Sequence, residues 1–300
     1  MSREIPLSSL DKASDLSVFQ LVIKNKNVFW GSIILIIIIF VAILGPFFAL
    51  DPVSLNPMSR LKPPGDAGLF GTDQLGRDVY SRVINGGRIS LVVGLTVAIF
   101  AVIFGTVMGL LAGYIRILDA IIMRVMDGLM AIPAILLAIA MISLSGATLT
   151  TVIAAIVIPE IPRVVRLVRS VVLTVREEPY VESAISVGTP VYLVMIRHVL
   201  PNTIAPLIVQ ATYICGSAML TEAILGFLGA GIPPEIPSWG NIMSEGRTFF
   251  QLTPWIIFFP GIALAVTVLS VNIVGDGLRD TLDPRICLLY TSPSPRDSAL

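Results

Sequence analysis

Few residues in this chain are equipped for chemistry, and their spacing excludes most of it. The single histidine, His198, has no cysteine clustered near it, so a zinc site is not expected. Nor does a serine sit within the apolar runs in company with a histidine; Gly216-Ser217 reads as an ordinary small-residue pair, which argues against an intramembrane serine hydrolase. Cys215 lies in an apolar run and Cys287 near the C-terminus, giving neither a disulfide framework nor metal-ligand spacing. Gly71 and Gly76 have the separation of a phosphate-binding loop, but Arg77-Asp78 follows where such a loop needs Lys-Ser/Thr. The four lysines (Lys12, Lys24, Lys26, Lys62) never follow a glycine, so no ATP site of that type is expected on this chain. Two carboxylates, Glu160 and Glu222, fall inside apolar runs. A carboxylate in lipid is costly and is a functional candidate by default. For Glu222 the competing reading is structural: a residue near the membrane interface, or one capping a neighbouring backbone. No catalytic residue, metal ligand or cofactor follows from these residues.

What remains is a mechanical candidate. Glu182–Pro201 is a polar island in an apolar chain, and its punctuation predicts two short helices. Pro179 suits a first helical turn, and Glu177 and Glu178 favour the positive end of that helix. Gly188 can take the left-handed conformation that ends it. Thr189 then offers an N-cap and Pro190 an N1 residue, and Pro201 is expected to limit the second helix. Val181, Ala184 and Ile185 share one face of the first helix, and Val191, Val194 and Met195 one face of the second. Such a knob, with its small-residue surface, can dock into a groove on a partner.

Composition says what carries this knob. The chain has 300 residues, of which 55% are hydrophobic and 13% charged, with a mean hydropathy of +0.89. A soluble domain carries about 25% charged residues; this chain cannot coat a soluble surface, so the lipid bilayer is its main solvent. A formal net charge of zero gives no argument for nucleic acid. The first apolar run starts late and is too long for a cleavable signal, and reads as a retained anchor.

Taken in order, residues 1–27 are a polar tail. Phe29–Leu50 is the first uncharged run, with Trp30 near its start, where an interfacial aromatic belongs. Residues 51–88 form a Pro-, Gly- and charge-rich loop. Ile89–Ile115 is the second run; Ala101, Gly105, Gly109 and Gly113 recur every four residues and put small side chains on one face, for close approach of another helix within the chain or on a partner. Arg116–Asp127 reads as a short charged connection. Gly128–Ile158 is too long for one span and is expected to break at Ser143–Thr148 into a hairpin. Its second arm begins at Leu149, is interrupted early by Pro159, Glu160 and Pro162, and ends with Arg163, Arg166, Arg169 and Arg176 snorkelling to the interface. Thr203–Ile232 and Phe249–Gly275 complete six spans, separated by a loop over Pro233–Pro254. The expected class is an all-α polytopic membrane protein of about six transmembrane helices. Its organisation is a tail (1–27), a first helix with its outer loop (28–88), a core (89–285) holding the loop 176–201, and a foreign or disordered tail (286–300).

Several motifs then carry a resemblance. Glu182-Ser183-Ala184, three residues, Gly188, nine residues and His198-Val199-Leu200-Pro201 resembles the "EAA" loop of ATP-binding-cassette importer permeases, with Ser183 where the family has alanine. Gly71-Thr72-Asp73-Gln74-Leu75-Gly76-Arg77-Asp78-Val79-Tyr80-Ser81-Arg82 resembles a signature of the dipeptide, oligopeptide and nickel permeases. Pro237-Ser238-Trp239-Gly240-Asn241 with Glu245-Gly246-Arg247, and the ending Asp276–Pro284, resemble the same branch, as does Ala218–Gly229 around Glu222. The resemblance implies one permease subunit of an ATP-driven importer of short peptides or nickel, working by alternating access. The implied partners are a second homologous permease, two cytoplasmic ATP-binding subunits, an extracytoplasmic substrate-binding protein and the bilayer. Implied contacts with the ATPase are Glu182, Ser183, Ala184 and Gly188, with Leu200 and Pro201 anchoring the knob to the fifth span.

Six spans put both termini on one side. With the N-terminus inside, six of the twenty Lys and Arg residues lie outside (Arg60, Lys62, Arg77, Arg82, Arg88, Arg247) and the rest inside. The positive-inside rule therefore favours cytoplasmic termini, in a bacterial or archaeal cytoplasmic membrane, although the first outer loop is unusually basic. A self-sufficient secondary transporter is the alternative. It would need its own coupling-ion site, for which only Glu222 and Glu160 offer charge, and no inverted repeat is evident.

Overall fold

The uncharged runs become long helices because a backbone in lipid must satisfy its own hydrogen bonds. A computed structural model of the chain describes residues 26–282. Its helices are α1 (Lys26–Phe48), α2 (Val79–Tyr114), α3 (Arg116–Ala131), α4 (Ala134–Ser145), α5 (Leu149–Arg176), α6 (Pro179–Ser186), α7 (Val191–Val194), α8 (Leu200–Phe227), α9 (Trp239–Gly246) and α10 (Trp255–Leu282). The 286–300 tail and nearly all of the 1–27 tail lie outside the described residues. Named strands do not occur among those described; one isolated antiparallel bridge joins Thr72 to Asp78.

Four segments are long and apolar enough to cross a membrane: α1, α2, the continuous helical stretch Val191–Phe227, and α10. A fifth arises if α3 and α4, bent by 90° at a short break, count as one broken span. The third and fourth expected spans are therefore built differently from the rest. Arg116–Asp127 is not a bare connection but most of helix α3. Asp119 and Asp127 lie about two turns apart on one side of it. The break at Ser143–Thr148 is present: Gly146 has φ +84°, and the Thr148 side chain accepts from the Thr151 N–H at 3.2 Å to start α5. Contrary to expectation, α5 runs through Pro159 and Pro162 without ending. A helix with packed neighbours tolerates such prolines because surrounding groups compensate the lost hydrogen bonds.

The architecture is organised around α2, which packs against α1, α3, α5 and α8, while α10 packs against α1, α8 and α9. On α2, Ala101, Gly105, Gly109 and Gly113 are all buried. Gly105, Gly109 and Gly113 face Val164, Val168 and Val172 of α5; a Cβ on Gly109 would lie 2.7 Å from the Val168 Cβ, and one on Gly113 2.6 Å from the Val172 Cβ. The valines recur every four residues, as the glycines do, so a β-branched ridge seats in a glycine groove with the two helices parallel. The small-residue face is thus consumed inside the chain.

Arginines of α5 tie it to α3 and to the end of α2. Arg169 pairs bidentately with Asp119, at 2.5 and 2.7 Å, and Arg166 with Asp127 at 2.7 Å. Arg176 lies over the Tyr114 ring, 5.9 Å from its centroid. Rather than snorkelling, Arg166 and Arg169 clamp α3 to α5, and Arg176 ties the end of α5 to the end of α2.

Candidate functional site

Two polar assemblies occupy the two ends of α2, a helix of 36 residues and so about 54 Å long.

At the Tyr114 end sits the knob. Glu178 occupies the N-cap of α6, Pro179 its first turn, and Glu182 lies in that turn. The helix ends in a Schellman motif: the Gly188 N–H reaches the Ile185 carbonyl at 2.9 Å and the Thr189 N–H reaches the Ala184 carbonyl at 3.1 Å. Gly188 adopts φ +86°. Thr189 gives its N–H to the first helix and does not cap the second; Pro190 occupies the N-cap and Val191 begins α7, one residue later than expected. Pro201 does not limit that second helix either. A π turn over Met195–Val199 links α7 to α8, with the Leu200 N–H bonding the Met195 carbonyl, and Pro201 sits in the first turn of α8. Proline lacks the N–H that the α pattern would demand there, and a wider turn just before it removes the conflict.

The knob is fastened on one side and open on the other. Val181, Val194 and Val199 are fully buried in the main core. Tyr180 and His198 face each other with ring centroids 6.1 Å apart. Asn202 donates to the Tyr180 hydroxyl at 3.2 Å and to the His198 carbonyl at 2.6 Å. This brace, in which the lone histidine takes part, was not visible in the sequence. Glu182, Ser183, Gly188 and Pro201 are exposed, and Ala184 and Leu200 half-buried. The Ser183 hydroxyl bonds back to the Pro179 carbonyl at 2.7 Å, so the position presents a small, internally satisfied surface. Beside it Ile185, Val187, Val191, Tyr192 and Ile196 stand exposed, Val187 at 86%. An apolar patch rimmed by polar residues on a short rigid loop is suited to a partner's groove.

At the Asp78 end, the Gly71–Arg82 and Pro237–Arg247 motifs meet. Asp78 caps α2, accepting from the Ser81 N–H at 2.9 Å and the Ser81 hydroxyl at 2.6 Å. Asp73 accepts from Arg77 Nε at 2.6 Å and Arg82 Nη1 at 2.7 Å. Glu245 of α9 accepts from both arginines, from Arg82 at 2.5 and 3.0 Å. Two guanidinium groups and two carboxylates thus form a charge-balanced cluster in which Asp73 and Arg82 are almost wholly buried. Gly76 folds the loop back so closely that a Cβ would run into the Asn56 carbonyl. Sequence reading quoted the two motifs apart and missed their pairing; the excess basic charge of the first loop was the available signal. Buried with a carboxylate partner, Arg77 and Arg82 do not act as free positive charges.

Glu222 of α8 is also fully buried. Its Oε2 accepts from the Ser90 hydroxyl of α2 at 3.2 Å, and Ser238, the N-cap of α9, faces the carboxyl as a second polar neighbour. The Ser90 oxygen in turn accepts from the Trp239 N–H at 3.4 Å. Glu222 therefore joins α2, α8 and α9. Glu160 of α5 pairs with Arg163 at 3.1 Å and accepts from Ser217 of α8 at 3.4 Å.

A bundle of long apolar helices bearing an exposed helical knob at one end defines a polytopic α-helical membrane protein. Comparison with known proteins gives the particular family. Residues 81–287 match the binding-protein-dependent transport system inner membrane component, and residues 18–64 the N-terminal transmembrane domain of oligopeptide transport permease C. The chain is 52% identical to a probable peptide ABC transporter permease of Sinorhizobium fredii, covering 90% of this chain and 92% of that one. It is 43% identical to a dipeptide transport system permease of Alkalihalophilus pseudofirmus, covering 89% of each. A glutathione transport system permease of Pectobacterium atrosepticum is 39% identical over 74% of each chain. The chain belongs to the binding-protein-dependent transport system inner membrane component family, and is a transmembrane permease subunit of an ABC importer.

Proposed function

We propose that this permease imports short peptides, forming half of a translocation pathway with a second homologous permease. The names of its relatives support a peptide cargo; nickel and a self-sufficient secondary transporter find no support in them. Two cytoplasmic ATP-binding subunits supply the energy, an extracytoplasmic binding protein delivers the cargo, and this chain hydrolyses no ATP itself. Both termini and the knob are cytoplasmic.

The observation that carries the coupling role is the knob's construction. It is locked to the core by Val181, Val194 and the Tyr180–His198–Asn202 brace, yet presents Glu182, Ser183, Ala184 and Gly188 on an open surface. A rigid lever transmits motion only if it cannot flex at its base. It also drives a transition only if it binds the ATPase differently in the two nucleotide states. Leu200 and Pro201 place the lever directly on the first turn of α8, so displacement of the knob is passed to a spanning helix.

The test is co-purification with candidate neighbouring permease and ATPase subunits, with and without Gly188→Leu. Leucine is strained at φ +86°, and the expected result is loss of the ATPase from the complex with membrane insertion unchanged. Full ATPase recovery and normal peptide uptake by the mutant would sink the coupling assignment.

A further inference from the structure

One ion pair lies inside the apolar layer and is open on one side. Leu50, at the end of the first uncharged run, bonds Ser81 of α2 at 3.0 Å, and Gly45 lies against Ile84. The two helices are therefore antiparallel, and Gly94 of α2 is about level with Leu35 of α1. Gly94 lies against Cys215 and Met219 of α8, which puts Ser217 at that level too. From there to Phe29, where the uncharged run begins, is about 9 Å of helix. The Ser217 hydroxyl donates to Glu160 of α5 at 3.4 Å, so the Glu160–Arg163 pair sits within the hydrocarbon depth of α1. The Arg163 guanidinium is aimed at Glu160, at 3.1 Å. The Glu160 side chain is 7% exposed and that of Arg163 42%. Tyr213 of α8, whose ring centroid is 6.0 Å from the guanidinium carbon, is 54% exposed.

We infer, resting on the reading of this chain as half of a peptide pathway, that Arg163 and Tyr213 face the water-filled pathway and take the C-terminal carboxylate of the passing peptide. A half-open ion pair is costly against lipid, and charged side chains in spans face a bundle interior or water. Arg163 spends Nη1 on Glu160. Among the described residues its Nε and Nη2, and the Tyr213 hydroxyl, donate to nothing. Nε and Nη2 form the edge of the guanidinium that takes a carboxylate bidentately, and Arg169 holds Asp119 through that same edge. Peptides of different sequence share only their backbone and their termini, so a carboxylate is a handle common to every cargo. Glu160 fixes the guanidinium in place. Its negative charge also weakens the grip, as a pathway site must release what it takes.

The whole importer, with its binding protein, is reconstituted in liposomes, and uptake of trialanine is measured per ATP hydrolysed. No uptake by wild type would sink the peptide reading and this site with it, whereas unchanged uptake by Arg163→Gln would sink the site alone. Arg163→Gln is expected to lower uptake per ATP about tenfold, the loss of one charge-assisted contact, and Arg163→Lys to keep part of it. The double variant Glu160→Gln with Arg163→Gln leaves no unpaired charge. It is expected to transport as poorly as Arg163→Gln; recovery there would mean a structural pair only and overturn the assignment. A second readout leaves Arg163 in place. In a background lacking Cys215 and Cys287, Tyr213→Cys is expected to react with water-soluble methanethiosulfonates. Millimolar trialanine is expected to slow that reaction, and trialanine amide not to; equal protection by both, or by neither, would overturn the carboxylate contact. An unreactive Tyr213→Cys, or its efficient cross-linking to the second permease, would set the residue against lipid or protein and overturn the site as well.

Discussion

Gly188 holds φ at +86° with open space around its Cα, so the constraint there is backbone conformation and not room. Asparagine tolerates that conformation better than other residues, and β-branched residues tolerate it least. Gly188→Asn is therefore expected to keep most of the peptide uptake that Gly188→Val loses, at equal expression; equal loss in both would mean the surface needs glycine for another reason. At the other end of α2, Glu245 serves two arginines in a largely buried setting. Glu245→Ala leaves Arg82 short of counter-charge, and is expected to cost about 3–5 kcal/mol, read as a lowered melting temperature in detergent. By contrast Asp127→Ala removes a solvent-exposed pair and should cost no more than about 1 kcal/mol. Glu222 offers a sharper choice. Glutamine can still accept from Ser90, so Glu222→Gln should preserve both stability and uptake if the residue only joins α2, α8 and α9. Loss of uptake in a stable Glu222→Gln protein would return it to the transport pathway.

Between helices, the decisive contact is the groove of α2 against the valine ridge of α5. Adding side chains there forces the helices apart. Gly109→Val is expected to destabilise by at least the roughly 1–3 kcal/mol of an overpacked core, and the swap Gly109→Val with Val168→Gly should recover part of that loss. Absence of any recovery in thermal unfolding would mean that Gly109 matters through something other than Val168. The every-fourth-residue spacing made the glycine face legible, but not its occupant; a second permease fitted the pattern equally well. Helix α3 was lost for a different reason. Its charges were read as density, marking a connection, when their period of about two turns marks a face that meets Arg166 and Arg169 across some forty to fifty residues of chain.

For the whole molecule, the two ends of α2 assign sides. In a background lacking Cys215 and Cys287, an impermeant maleimide should label Asp66→Cys in intact cells but reach Val187→Cys only after permeabilisation. The reverse pattern would invert the proposed orientation. The charge count that supported cytoplasmic termini carried a conflict in the first outer loop, and the structure changes its weight: Arg77 and Arg82 are matched by Asp73 and Glu245 and need not be counted as free charges against the rule.

Sequence alone determined the solvent of this protein, its long helices, the Gly188 bend and the motifs that carry the family. These rest on composition, run length and local punctuation, which are properties of neighbouring residues. Only the tertiary structure decided what was distant along the chain. Glu245 lies 163 residues from Arg82, and Val168 meets a glycine on another helix. The π turn before Pro201 and the 90° bend between α3 and α4 belong to the same class. Each depends on which neighbours pack against the helix and compensate its broken hydrogen bonds, and no window of local sequence contains them.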